Sequence, residues 1–122
     1  MSTSADEQTA ATLAAVARFN AAFDRHDVDG VMAAMTEDCV FENTGPAPDG
    51  ERYAGAAAVR AVWERFFQVN PRASIVVEEQ FAAGERCVQR WRYDWGSGHV
   101  RGVDVLRVRD GRVAEKLSYV KG

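Results

Sequence analysis

Few side chains in this sequence are of the kinds that perform chemistry, and their spacing narrows what that chemistry can be. His26 and His99 are the only histidines, too few and too far apart in sequence to read as a zinc or iron site. Cys39 and Cys87 sit in no CxxC or CxxH pattern and read as small buried hydrophobes rather than a bridge. No metal and no cofactor is therefore expected. A two-residue spacing places Arg92 and Asp94 on one face of a strand, where the guanidinium can fix the carboxylate as an acid; charge pairing along a surface ladder is the bland reading. Tyr53 can present a hydroxyl to a cavity or anchor a loop. His99, at a hairpin edge, suits a capping or solvent-facing place better than acid/base work.

The elements that must position these groups follow from the pattern. The chain has 122 residues, with 15 Lys plus Arg against 18 Asp plus Glu and a net charge of −3. That length suits one domain spanning 1–122, large enough for a core without staples. A mildly acidic balance with no basic run argues against nucleic acid and anionic membrane as partners. No stretch approaches the roughly 18 apolar residues of a membrane span. Met1 to Gln8 lacks the regions of a signal peptide, so a cytoplasmic location is expected.

Ser4 with Glu7 can form a capping box before a helix carrying Leu13, Val16, Phe19 and Phe23, with about the first five residues fraying. Asp27 can cap a second helix with Val28, Val31, Met32 and Met35 on one side. An extended run follows at 38–43, then a Pro/Gly loop at 44–50 and a short strand at 51–54. Gly55 opens a third helix whose stripe is Val59, Val62, Trp63 and Phe66, stopped by Asn70-Pro71. Extended segments at 73–83, 86–95, 99–109 and 112–120, each joined at a glycine, predict an antiparallel meander. Three helices and a long, twisted sheet bury their apolar faces only if the sheet curls around the helices. The predicted fold is an α+β cone with a cavity between sheet and helices.

With that order in place, the chain resembles the NTF2-like (cystatin-type cone) superfamily, in the branch of SnoaL-like polyketide cyclases and ketosteroid isomerases. The resemblance rests on Arg18 to Gly30, Met35 to Asn43, Tyr53-Ala-Gly55 running into Val59 to Trp63, and Arg101 to Val108 with Asp110-Gly111. By that resemblance, the isomerases' oxyanion-hole Tyr falls at Phe19 and their general-base Asp at Asn43, so both are absent. Their second oxyanion donor, an Asp, falls at Asp104 and is present. SnoaL-like cyclases look closer, since they pair a single Asp on that strand with an amide near Asn43. The resemblance then implies that Asp104, favoured in its protonated form by an apolar pocket, shuttles a proton while Asn43 orients a carbonyl or water. Limonene-epoxide-hydrolase-like members offer a third match, with Phe41-Glu42-Asn43 and Arg92-Tyr93-Asp94 similar to two of their segments and Ser118 where they carry an Asp.

Choosing among these depends on which face of 86–95 looks inward. Trp91, Tyr93 and Trp95 alternate with Arg90, Arg92 and Asp94. With Asp104 inward, a two-residue loop at Gly96-Ser97-Gly98 turns the aromatics into the cavity and a three-residue loop turns in the charges. Inward charges demand more hydrogen-bond partners than this sequence offers, so the aromatics are expected inside. Both faces of the sheet carry apolar residues, Val103, Val105, Leu117 and Tyr119 together on one and Leu106, Val108 and Val120 on the other under one register, and a homodimer would cover the outer one. The resulting expectation is a cofactor-independent isomerase- or cyclase-type protein that binds a small apolar carbonyl compound. Asp104 and Asn43 would be catalytic, with Tyr53, Trp63, Trp91, Phe19 and Phe41 holding substrate. Two alternatives stand beside it: a non-catalytic binding or dimerisation module, and an epoxide hydrolase using Arg92 and Asp94.

Overall fold

The computed structural model describes residues 4–122. Helix α1 (Ser4–Asp24) buries Ala15, Val16, Phe19 and Ala22 on one side, as a 3.6-residue period requires. Ser4 is already helical, so it is not the cap expected of it, and the cap position lies outside the described residues. The fraying expected of the first five residues likewise falls mostly outside them, while Ser4 and Ala5 are in the helix. Helix α2 (Val28–Ala33) starts where Asp27 accepts a hydrogen bond from the Gly30 N–H at 3.0 Å.

Met35 does not extend α2 but opens strand β1 (Met35–Glu42), three residues before the extended run expected from the sequence. The reason is a distant partner. β1 runs parallel to β6 (Arg112–Val120) with Met35 opposite Val113, whose N–H donates to the Ala34 carbonyl at 2.8 Å. Strand β2 (Arg52–Ala54) and helix α3 (Ala56–Val69) follow; between them Gly55, at φ +92°, donates its N–H to Cys39 at 2.7 Å. Strands β3 (Ser74–Ala83), β4 (Arg86–Asp94) and β5 (His99–Arg109) lead to β6 as the expected antiparallel meander.

The six strands form one open sheet in the order β2-β1-β6-β5-β4-β3. It curves around the helices as the predicted α+β cone. Phe19, Val59 and Trp63 from the helices pack against Cys39, Leu106 and Val113 of the sheet. Each large apolar side chain buried there contributes about 1.5–3 kcal/mol. Among the described residues no helix is long and apolar enough to cross a membrane.

Two local features decide which residues face the helices. At the β4–β5 turn Asp94 pairs with His99 and the Trp95 N–H donates to Gly98 at 3.1 Å, leaving Gly96-Ser97 as a two-residue loop. Gln89 therefore pairs with Asp104, and Gln89, Trp91 and Tyr93 share the concave side with it. In β6 an extra residue, Ala114, breaks the register between Arg107 and Val108. This bulge lets Val113 enter the core while Lys116 and Ser118 also point inward, and all three are buried.

β1 is further tied to the end of β5 by Asp38, which accepts hydrogen bonds from Arg109 and from Thr36 at 2.8 Å. The Arg109 guanidinium, aided by Thr36, holds the Asp38 carboxyl down at about 2. A carboxyl depressed in the folded state stabilises fully above its ordinary value near 4 and loses that contribution as pH falls toward 2. Melting curves of wild type and Asp38→Asn between pH 7 and 2 should accordingly differ most at neutral pH and converge in acid. A constant gap across that range would show that this ion pair does not act on stability.

Candidate functional site

The concave floor is built around one carboxylate. Asp104, 4% exposed, receives three donors on Oδ1: Ser118 Oγ at 2.7 Å, Trp91 Nε1 at 2.9 Å and Lys116 Nζ at 3.4 Å. Oδ2 receives one, Gln89 Nε2 at 3.0 Å. An indole N–H and an ammonium can only donate, so Oδ1 acts as an acceptor with its lone pairs fully engaged. Oδ2 keeps one lone-pair direction unused. Of the two oxygens, it is the one placed to take a proton.

Gln89 is itself fixed. Its Oε1 accepts from Asn20 Nδ2 at 2.9 Å and Gln80 Nε2 at 3.2 Å, and its Nε2 also meets Asn20 Oδ1 at 3.3 Å. Flipping this amide would set its carbonyl against the carboxylate, so the network defines one orientation. Lys116, 9% exposed, donates to Ser118 Oγ at 3.0 Å and stands 4.9 Å from the Phe41 ring centre and 5.6 Å from that of Trp63. Among the described residues its third N–H has no oxygen or nitrogen acceptor.

Above this floor lies a cavity of about 130 Å³. Phe23, Phe41, Trp63, Phe66, Trp91 and Tyr93 form much of its wall, while Asn20, Asn43, Gln89, Asp104, Lys116 and Ser118 are its polar lining. Trp91 reaches Asp104 because its strand partner is Gly102, where a Cβ would lie 2.4 Å from the Trp91 ring and 2.2 Å from the Tyr119 carbonyl oxygen. Asn43 is held at the cavity by the 44–50 loop, which closes through the Asn43 N–H to Glu51 at 2.9 Å. That closure needs Gly50, at φ +76°, because a Cβ there would lie 1.8 Å from the Asn43 carbonyl oxygen. Asn43 Oδ1 accepts the Thr44 N–H at 2.8 Å, which leaves its amide NH₂ as the group free for a guest.

The sequence candidates therefore separate. Asp104, Asn43, Phe41, Trp63 and Trp91 come together around the cavity. Phe19 does not line it: that ring is fully buried behind the wall against Phe23 and Trp63, and Phe23 takes the wall position one turn on. Tyr53 does not line it either. Paired with Phe41 and stacked on it 6.2 Å away, Tyr53 turns its hydroxyl to Glu51 at 2.5 Å, a bond that raises the hydroxyl's pKa. Arg92 and Asp94 lie on the convex side, 38% and 41% exposed and 3.3 Å apart, so they cannot act in the cavity. The Asp94 carboxyl is held low first by the Gly96 N–H and then by Arg92.

Lys116, Gln89 and Asn20 escaped the sequence reading. Lys116 and Ser118 alternate with Leu117 and Tyr119, and a polar-outside rule assigns such a strand the wrong way round. The available signal was the shared face: once Asp104 is inward, its register partners Gln89 and Ser118 are inward too. Burial pushes the Cys87 thiol up to about 11, with the Asp104 charge adding to the effect, and burial raises Cys39 as well. Neither thiol is a ready nucleophile at neutral pH. Among the described residues no three His, Cys, Asp or Glu side chains gather as a metal site would need.

The sequence model of the SnoaL-like domain matches residues 16–116. This chain belongs to the SnoaL-like domain family. Among solved structures, this SnoaL-like domain is similar to an NTF2-like protein of unknown function from Mesorhizobium loti, with 42% identity, 94% of each chain covered and a TM-score of 0.85. It shares its fold with a putative ketosteroid isomerase from Kribbella flavida at 22% identity, covering 93% of this chain and 80% of that one, with a TM-score of 0.79. The fold also recurs in an LEH-like epoxide hydrolase of M. tuberculosis, at 24% identity, 93% and 84% coverage and a TM-score of 0.73. No curated protein matches by sequence.

Gly102→Ala should test how the floor of this SnoaL-like domain is packed. The added methyl must displace Trp91 or the β6 backbone, at a cost of about 1–3 kcal/mol and a fall in Tm of about 4–12 °C. The Trp91 indole N–H resonance should shift as its bond to Asp104 lengthens. An unchanged Tm and an unchanged indole signal together would contradict this arrangement.

Proposed function

We propose that this SnoaL-like domain is a cofactor-independent acid/base protein that acts on a small, mostly apolar carbonyl compound in the cone, with isomerase- or cyclase-type chemistry. The reading rests chiefly on Asp104: a buried carboxylate at an aromatic cavity, with one oxygen saturated by donors and the other holding a lone pair in reserve. A carbonyl acidifies the carbon beside it, so one positioned base suffices to remove its proton and return it elsewhere. The Asn43 amide would hold the substrate's oxygen or a water at the opposite polar end. Phe41, Trp63 and Trp91 would grip its apolar body.

A second reading has its own support. All four donors around Asp104 belong to the protein, an arrangement that equally suits a binding module whose floor is structural. The epoxide-hydrolase route is not proposed, because Arg92 and Asp94 are on the far side of the sheet from the cavity.

Exchange of α-protons into deuterated water, followed by NMR over a panel of small cyclic ketones and enones, separates the two readings. Wild type should accelerate exchange for some member of the panel, and Asp104→Asn should reduce that rate by about 10²-fold or more with ring binding retained. Equal rates in the two proteins would remove Asp104 from the chemistry and leave the binding reading.

The convex side supports a partner. Register aligns Phe81, Val88, Val105 and Leu117 in one row across β3 to β6, and Phe81 is 58% exposed. Beside the row, Arg90–Glu79 and Arg101–Glu78 ion pairs form a polar border. An apolar centre with a charged rim is the anatomy of a protein interface, and a second copy of this chain is the proposed occupant. Sedimentation at micromolar concentration should give a dimer that Phe81→Glu dissociates; a monomeric wild type would refute it.

A further inference from the structure

The cavity holds a cation that neither the family match nor the structural neighbours assign a task. Resting on the acid/base reading above, we infer that Lys116 is the oxygen-binding group of the site, and that the substrate is a neutral ketone of about one six-membered ring whose carbonyl oxygen Lys116 holds.

Three observations carry this. Lys116 is nearly buried yet lines the cavity, and among the described residues its third N–H meets no oxygen or nitrogen acceptor, only the rings of Phe41 and Trp63 nearby. A buried ammonium with an unused donor is costly unless something accepts from it. Trp63, in the same wall, has a buried indole N–H without a partner among the described residues, so donors on this side of the cavity outnumber the acceptors that meet them. A ligand's carbonyl oxygen would accept from the third Lys116 N–H.

Charge then selects the ligand. Asp104 and Lys116 neutralise each other within the cavity. A carboxylate ligand would bring its charge beside Asp104, 3.4 Å from the ammonium, and a cationic one would meet Lys116. A neutral ketone meets neither objection. As its α C–H bond breaks, the proton forms an O–H bond with Asp104 Oδ2 and the electron pair moves through the new C=C bond onto the carbonyl oxygen. Negative charge thus leaves the carboxylate and arrives beside the ammonium, and the net charge of the cavity is unchanged. That is the condition under which a fixed charge stabilises a transition state more than a ground state.

Volume sets the size. The space over the floor, about 130 Å³, is close to the roughly 150 Å³ of an apolar protein cavity that takes benzene, and so seats one ring beside Lys116.

The sequence contains two lysines, Lys116 and Lys121. Protein labelled with ¹³C at the lysine ε-carbon therefore gives two signals, and exposed Lys121 serves as the control. Phenol, a planar one-ring stand-in for the enolate, should move the Lys116 signal saturably and leave Lys121 in place; 2-naphthol should bind at least tenfold more weakly. Lys116→Met should lose at least tenfold in phenol affinity while holding toluene within about threefold. Phenol binding that leaves the Lys116 signal still would overturn the inference on wild type alone, whether or not the variant folds. Equal phenol affinity in Lys116→Met would overturn the role of the cation, and naphthol binding as well as phenol would overturn the size limit. If neither phenol nor toluene binds, this inference and the acid/base reading fall together. If phenol moves Lys116 but Asp104→Asn exchanges normally, Lys116 stands as the oxygen-binding group and only the carboxylate's proton transfer fails.

Discussion

The Asp104 carboxylate is the constraint around which the concave half of this protein is arranged. An ionised carboxyl taken out of water loses several kcal/mol of solvation after relaxation, and recovers it only where donors converge. Here they converge on β5 from the two strands that flank it: Gln89 and Trp91 from β4, Ser118 and Lys116 from β6. A slip of one residue in either pairing would send half of these groups to the convex face and strand the charge. The same contacts that satisfy the carboxylate therefore also select the register of the central sheet.

Two departures from regular geometry make that convergence possible. Gly102 removes a side chain where the Trp91 indole must cross β5 to reach Asp104, so a missing Cβ allows the hydrogen bond. The extra residue at Ala114 lets β6 serve two purposes, with Val113 closing the core and Lys116 and Ser118 facing the cavity. Neither feature stabilises by its own contacts. Each re-aims a neighbour.

The order and limits of the elements were largely legible because period and punctuation agree along the chain. α3 carries a helical stripe between Gly55 and Asn70-Pro71, and each strand of the meander ends at a glycine. The exceptions are instructive. Met35 reads as helical from its neighbours and becomes a strand residue because Val113, distant in sequence, offers it a parallel partner. The lining of the cavity was legible as far as Asp104, Asn43, Phe41, Trp63 and Trp91. It stopped there because the next step, from Asp104 to Gln89, Ser118 and Lys116, depends on register and on a bulge, and no local pattern encodes either. Phe19 and Tyr53 were misplaced for a related reason: helical or strand spacing assigns a face, but whether a ring on that face touches the cavity or stands behind another ring is decided by packing in depth.

Within the enclosed and otherwise apolar face of the sheet, polar side chains gather around Asp104 at the floor of the cavity. Stability alone does not favour this. Replacing a buried ion pair and its hydrogen-bond partners with apolar groups of the same volume is often neutral or stabilising, and the aromatic lining shows that this interior accommodates such groups readily. A solid apolar centre would also close the space of about 130 Å³ and recover the dispersion contacts that an unfilled cavity forgoes. Folding energetics thus argue against both the carboxylate–ammonium pair and the hollow above it. Their occurrence together, at one place, is what the proposed function requires: the hollow would accept the ring of a polar-tipped apolar guest, and the pair would exchange a proton and a charge with its oxygen-bearing end.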